Sequence, residues 1–315
     1  MTAPALSGQA VNQPLYQRIA GYFASMDTVD LATRITLLAV LYSDMIAGVD
    51  WQTKAPMKLL AVFGLLAPPL HRSAWLWGML LLAMIFRTVS RWSVQDNHLY
   101  LITYWMAALF LANLTTKPGP MLAVSGRVLI GLAFGFAVLW KAFLSPTYMD
   151  STFFHFELLR DPRFADWATL TAGVPVETHR VNMEALASIS QPVGGPESAV
   201  FVDTPMTRTI AIVMTWWTVA IESLIAVAFL WPGSLWPKLG RVIGWLRDPA
   251  LIVFAWSTYS VIAVTTFGWV LCAMALAATP PDRRLTRFAY AATMIAVLVF
   301  EQAPIVSTLN AVLGR

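Results

Sequence analysis

Charge is scarce in this chain: 12% of its 315 residues are Asp, Glu, Lys or Arg, where an ordinary soluble domain carries roughly 25%. A large soluble helical bundle needs a polar face on every helix, and several segments here have none. Cysteine is scarcer still. Cys272 stands alone in the apolar run GWVLCAMALAA, which excludes an intrachain disulfide, a cysteine-ligated cluster and a CxxC redox centre. GxGxxG, P-loop, GxSxG and HExxH patterns are missing, so nucleotide-driven and motif-based hydrolase readings fall away. No internal repeat stands out, which weighs against a transporter. Residues 1–25 lack a continuous apolar core followed by a small-residue cleavage site. The expectation is that the first membrane helix itself directs insertion.

What the chain has in abundance is apolar surface. Hydrophobic residues make up 58% of it, with 14 Trp and 14 Met, and the mean hydropathy is +0.64. Trp gathers at membrane interfaces, and Met fills irregular apolar gaps. These features predict an all-α fold, a polytopic transmembrane helical bundle whose partner is the lipid bilayer. The net charge of +4 then reads as cationic loops on anionic headgroups, with no nucleic acid partner expected.

Hydropathy and turn residues divide the chain into four regions. Residues 1–30 form an interfacial segment, with Leu15, Ile19, Tyr22 and Phe23 at helical spacing and Asp27 or Asp30 as an N-cap for the first membrane helix. Residues 31–144 hold membrane helices one to five, over 31–49, 57–70, 73–89, 98–114 and 121–144. Pro68 and Pro69 end the second, and Lys117-Pro118-Gly119-Pro120 reads as a turn before the fifth. Residues 145–206 carry eight acidic side chains against three arginines and read as an acidic extramembrane loop or cap. Residues 207–315 supply helices six to eight, over 207–231, 250–278 and 285–313, for about eight spans in all. Cation counting places the acidic region on the outer side by a small margin.

Several polar groups sit where a bilayer makes them costly. Lys141 ends the fifth apolar run, either snorkelling into the headgroups or lining a pocket where a water-poor setting makes its amine a base. If the fourth and fifth helices pair antiparallel, His98, Lys141 and the late Asp44 share one membrane face. Glu222 and Glu301 lie inside apolar runs. They serve a proton path or pocket, or act as protonated carboxyls tying helices together. The His155–Glu157 pair points two ways on a helix, so no metal site is expected. Ser257, Thr258, Tyr259 and Ser260 give the seventh segment a polar stripe suited to interhelical hydrogen bonds.

Two stretches carry a resemblance. W-x-x-x-DNHLYL at residues 92–101 and LWKAFLSPTYMDSTFFHFELLRDPRF at 139–164 resemble the two signatures of the HTTM domain, the membrane domain shared with vitamin K-dependent gamma-carboxylases. The resemblance covers residues 31–164. It implies that Lys141 is a base acting on a reduced, quinone-like lipid cofactor, with His98 assisting and Asp96, Asn97 and Tyr100 around the pocket; Asp44 joins the candidate pocket by its expected place on the same face. It also implies a bacterial inner-membrane location. Ala142-Phe143 depart from the family's Leu-Asn or Leu-Asp after the lysine, and the large extramembrane region that recognises a peptide substrate is missing. Carboxylation of protein glutamates is therefore not expected. Two functional expectations remain: a membrane enzyme using Lys141 on a quinone-like or other lipid, and a non-catalytic membrane subunit docking a larger complex through its helices or acidic cap.

Overall fold

The structure, a computed structural model, describes Pro14, Gly21 and residues 26–43, 51–90, 92–94, 97–189, 198–232 and 236–302. The described residues form helices and no strand, so the all-α expectation holds. Chain contacts divide the protein into two compact units, Met1–Ile130 with Thr266–Met294 and Gly131–Thr265 with Ile295–Arg315.

The first unit opens with α1 (Thr28–Tyr42), whose N-cap is Asp27, accepting from the peptide N–H groups of Val29 and Asp30. Asp30 has another task, receiving His71 Nε2 at 2.9 Å and Arg72 Nε at 2.5 Å. Next comes α2 (Trp51–Leu66), starting earlier than its apolar run, with Pro56 inside it, and ending before Pro68. Beyond it are α3 (Ala74–Ser90) and α4 (Asn97–Asn113). They pack antiparallel, with Gly78 against Phe110 and Thr88 facing Thr103. Trp77 and Trp105 are fully buried, and each indole N–H is satisfied, by His71 O and Thr36 Oγ1. One expectation fails here. Residues 118–120 are not a turn but the first residues of α5 (Pro118–Leu139), because proline at a helix start gives up an N–H that had no partner anyway.

The second unit takes up the later part of α5, which ends in a π-turn over Trp140–Leu144. The acidic region is an ordered helical cap: α6 (Pro146–Met149), α7 (Thr152–Arg160), α8 (Ala165–Ala172) and α9 (Val176–Ile189). Its core of Tyr148, Phe154, Leu158, Phe164 and Ala168 continues into Ala211 of α10 (Pro205–Leu230), so the cap is built onto that helix. Asn182, fully buried on α9, donates to Leu159 O and Val202 O and accepts from Val202 N.

After α10 the chain corrects a second expectation. The 250–278 segment is two helices, α11 (Pro237–Tyr259) and α12 (Thr265–Ala277). The first begins well before residue 250, with Pro237 at its start and Pro249 within it. The break comes after Thr258, whose carbonyl takes both Val261 N and Ile262 N. The last helix is α13 (Arg284–Gln302); the remainder of the expected 285–313 span lies outside the described residues.

Among the described residues, two helices are long and apolar enough to cross a membrane: the 27 residues Pro118–Leu144 and the 26 residues Pro205–Leu230. Within the second unit they run antiparallel. Gly131 lies against Leu230 and Phe229, Gly135 faces Ala226, and Lys141 meets Glu222. The two glycines form a G-x-x-x-G stripe, which lets helix backbones approach closely in apolar surroundings.

Candidate functional site

That register fixes the site. Lys141 sits in the π-turn closing α5, a wide turn of a kind often found at functional positions. Its side chain is 14% exposed and that of Glu222 8%, so the amine is turned into the protein. Nζ donates to both carboxylate oxygens of Glu222 at 2.5 Å. The Tyr148 ring lies beneath the ammonium, 5.1 Å from centroid to Nζ. Phe153 and Phe154 wall that ring in, with centroids at 5.3 and 5.4 Å. Thr218, one helical turn before Glu222 on α10, lies beside the Tyr148 hydroxyl and donates its own to Met214 O. Burial, and after it the Glu222 carboxylate, push the Tyr148 phenol well above its ordinary range against the smaller opposing effect of Thr218. Tyr148 therefore stays a neutral phenol.

A buried ion pair survives only where good geometry and additional contacts offset desolvation. Here the bidentate bond and the tyrosine face supply both. Such a pair has a chemical property that an exposed one lacks. A proton passing from Nζ to the carboxylate neutralises both groups, so the pair can take a proton from a third group, or give one up, without stranding a lone charge in apolar surroundings.

His98, near the start of α4, belongs to the first unit, where its ring lies 5.8 Å from that of Phe267. Lys141 belongs to the second, and the partner given to its amine is Glu222. Tyr100 is half-buried; its hydroxyl donates to Trp92 O at 3.3 Å and its ring meets Trp92 edge-on. Asp44 and Asp96 lie outside the described residues, as does the side chain of Asn97. Glu301 is exposed, accepting a hydrogen bond from the Thr265 hydroxyl. Its place in an apolar run does not bury it in the protein, since it falls near the end of α13. His155 pairs with Asp203 at 2.8 Å and Glu157 with Arg160 at 2.7 Å, so the H-x-E pair splits between different partners. No group of three His, Cys, Asp or Glu placed to hold a metal occurs among the described residues. In the polar stripe, Ser257 accepts from the Trp217 indole of α10 at 3.1 Å.

Reading the sequence alone missed three participants. Tyr148 is seven residues beyond Lys141 in a stretch already singled out, but its role needs the turn after the π-helix to fold it back. Thr218 had no signal of its own. The G131-L-A-F-G135 stripe was legible as a packing motif, and it sets the register that aligns Lys141 with Glu222.

The chain matches no protein-family model, no curated protein and no solved structure.

Proposed function

We propose that this chain is an integral membrane protein of the HTTM type that uses the Lys141–Glu222 pair for proton transfer with a lipid-soluble, quinone-like or other lipid ligand. Membrane embedding is supported by the two membrane-length helices, in which 28% and 33% of the apolar windows are buried inside the protein. A soluble core helix of that length would bury most of its apolar face. The outward residues include Trp75, Leu66 and Phe143, each more than three-quarters exposed, a surface that lipid satisfies and water does not. At 1.5 Å per residue the two segments span roughly 40 Å, more than a hydrocarbon layer of about 30 Å.

The observation that carries the reading is the buried amine–carboxylate pair at the end of one of these helices and within the other. With the shared proton on Glu222, the Lys141 amine is neutral and takes the proton of a phenolic hydroxyl; the O–H bond breaks, an N–H bond forms, and the phenolate stays beside the new ammonium. The reverse step returns the proton. His98, Asn97, Tyr100 and Asp96 enter this proposal through the resemblance, as does a bacterial inner-membrane location, and Asp44 enters it by its expected place on the same membrane face. Mass spectrometry of lipids co-purifying with wild type and with Glu222→Gln tests it. Wild type retains a phenolic or quinone lipid that the folded variant has lost; equal retention in both overturns the reading.

A second reading has its own support. Both charges are satisfied within the chain, as they are in a tie between two helices of a non-catalytic membrane subunit. It predicts co-purification with a larger complex through the acidic cap, and no change in that complex when the pair is replaced by apolar residues.

A further inference from the structure

Lys141 and Glu222 would form an ion pair without Tyr148, yet the tyrosine is among the most constrained side chains of the second unit. It is 4% exposed and packed between two phenylalanines. Its backbone is fixed as well. Tyr148 N donates to Ser145 O, and Tyr148 O accepts from Ser151 N, the residue that turns the chain through a left-handed conformation at φ 68° into α7. A buried non-glycine residue in that region carries strain that its surroundings must hold in place. Everything around Tyr148 thus fixes one ring in one orientation, with its face toward Nζ.

We infer that Tyr148 is a positioning residue: its ring face holds the Lys141 amine on Glu222 and closes the amine off from water. The ring supplies the negative face that attracts the ammonium and excludes solvent, while its packing between Phe153 and Phe154 sets its angle. Glu222 on α10 is the charged group facing the amine beside it. The inference takes its chemical meaning from the proton-transfer reading but stands on the geometry alone, and its test needs no activity.

The test is the rate at which a neutral amine-reactive ester labels Lys141 in the purified full-length protein, read by peptide mass spectrometry, with exposed Lys238 as internal reference. Tyr148→Leu, which removes the ring, raises the Lys141 rate at least tenfold at fixed pH. Tyr148→Phe restores it to within about threefold of wild type. Leu158→Ala loosens the same core without touching the ring or the amine and leaves the rate unchanged. Where Tyr148→Leu does not fold, Tyr148→Met fills the same space and gives the same readout. A folded Tyr148→Leu or Tyr148→Met labelled at the wild-type rate overturns the inference, and so does a Leu158→Ala that accelerates labelling as strongly. Ligand retention by Glu222→Gln is measured separately, so the functional reading and this one fail independently.

Discussion

Gly131 and Leu230 approach so closely that a β-carbon on Gly131 would lie 2.5 Å from Leu230 Cγ. The contact brings α5 and α10 together four residues from a second glycine, and the register it sets continues to Lys141 and Glu222. Gly135 is roomier, with Ala226 Cβ 3.9 Å from the equivalent point. Gly131→Ala is expected to cost about 1–3 kcal/mol through overpacking, while Gly135→Ala is close to neutral. Unfolding midpoints of the two variants in one detergent check the contrast. Equal midpoints would show that the stripe does not set the helix spacing.

The cap depends on one amide. Asn182 makes three hydrogen bonds from a fully buried position, so Asn182→Leu strands the Leu159 and Val202 backbone groups. The expected loss is about 2–4 kcal/mol, because each orphaned buried group costs about 1–3 kcal/mol. Limited proteolysis should then cut residues 176–204 at protease levels that leave wild type intact.

His179 gives the cap a pH dependence. It is 4% exposed, and neither ring nitrogen has a hydrogen-bond partner. Burial holds its protonation below the ordinary histidine range, and the nearby Asp161 charge offsets only part of that. Because the folded form resists the proton that the unfolded chain accepts, the unfolded state binds more protons and stability falls as pH drops. The loss begins near the unfolded value of about 6.5 and grows toward the lower folded one. Asp161, held below its ordinary value by Arg163 against the raising effect of burial, adds a loss of the same sign in the lower carboxylate range. Hydrogen exchange of α9 at pH 7.5 and 5.5 should show protection falling in wild type and flattened in His179→Leu.

Membrane embedding makes a topological prediction. The cap precedes α10 and Lys238 lies after it, so 26 helical residues, roughly 39 Å, separate the two ends. With Cys272 replaced by Ala, cysteines at the exposed Glu184 and Lys238 positions should react with an impermeant maleimide from opposite sides of sealed vesicles. Labelling of both from one side contradicts a membrane-spanning α10.

The helical class and most helix positions were legible because long apolar runs leave little choice of element. Asp27 was readable as one of two candidate caps, with Asp30, from its place before the first run. Proline misled at Pro118, where it starts a helix and its missing N–H costs nothing, while read as punctuation it suggested a turn. The 250–278 segment concealed a break because its apolar composition continues across 260–264, while the carbonyl of Thr258 ends the helix. Lys141 and Glu222 were each conspicuous as polar groups in apolar runs. Their pairing was not, since it depends on a register set ten residues away by Gly131. The resemblance directed attention to Lys141 and to the stretch that holds Tyr148, without giving the tyrosine a role.

The central claim is that Lys141 and Glu222 serve chemistry and are not needed for the fold. Replacing both, Lys141→Met with Glu222→Leu, removes the charges together and leaves neither buried alone, an exchange that is often neutral or stabilising. Thermal unfolding and retained-lipid mass spectrometry on that double variant test the claim together. The predicted result is a protein that melts within a few degrees of wild type and carries no bound quinone-like lipid; a double variant that folds and retains the same lipid in the same amount contradicts it.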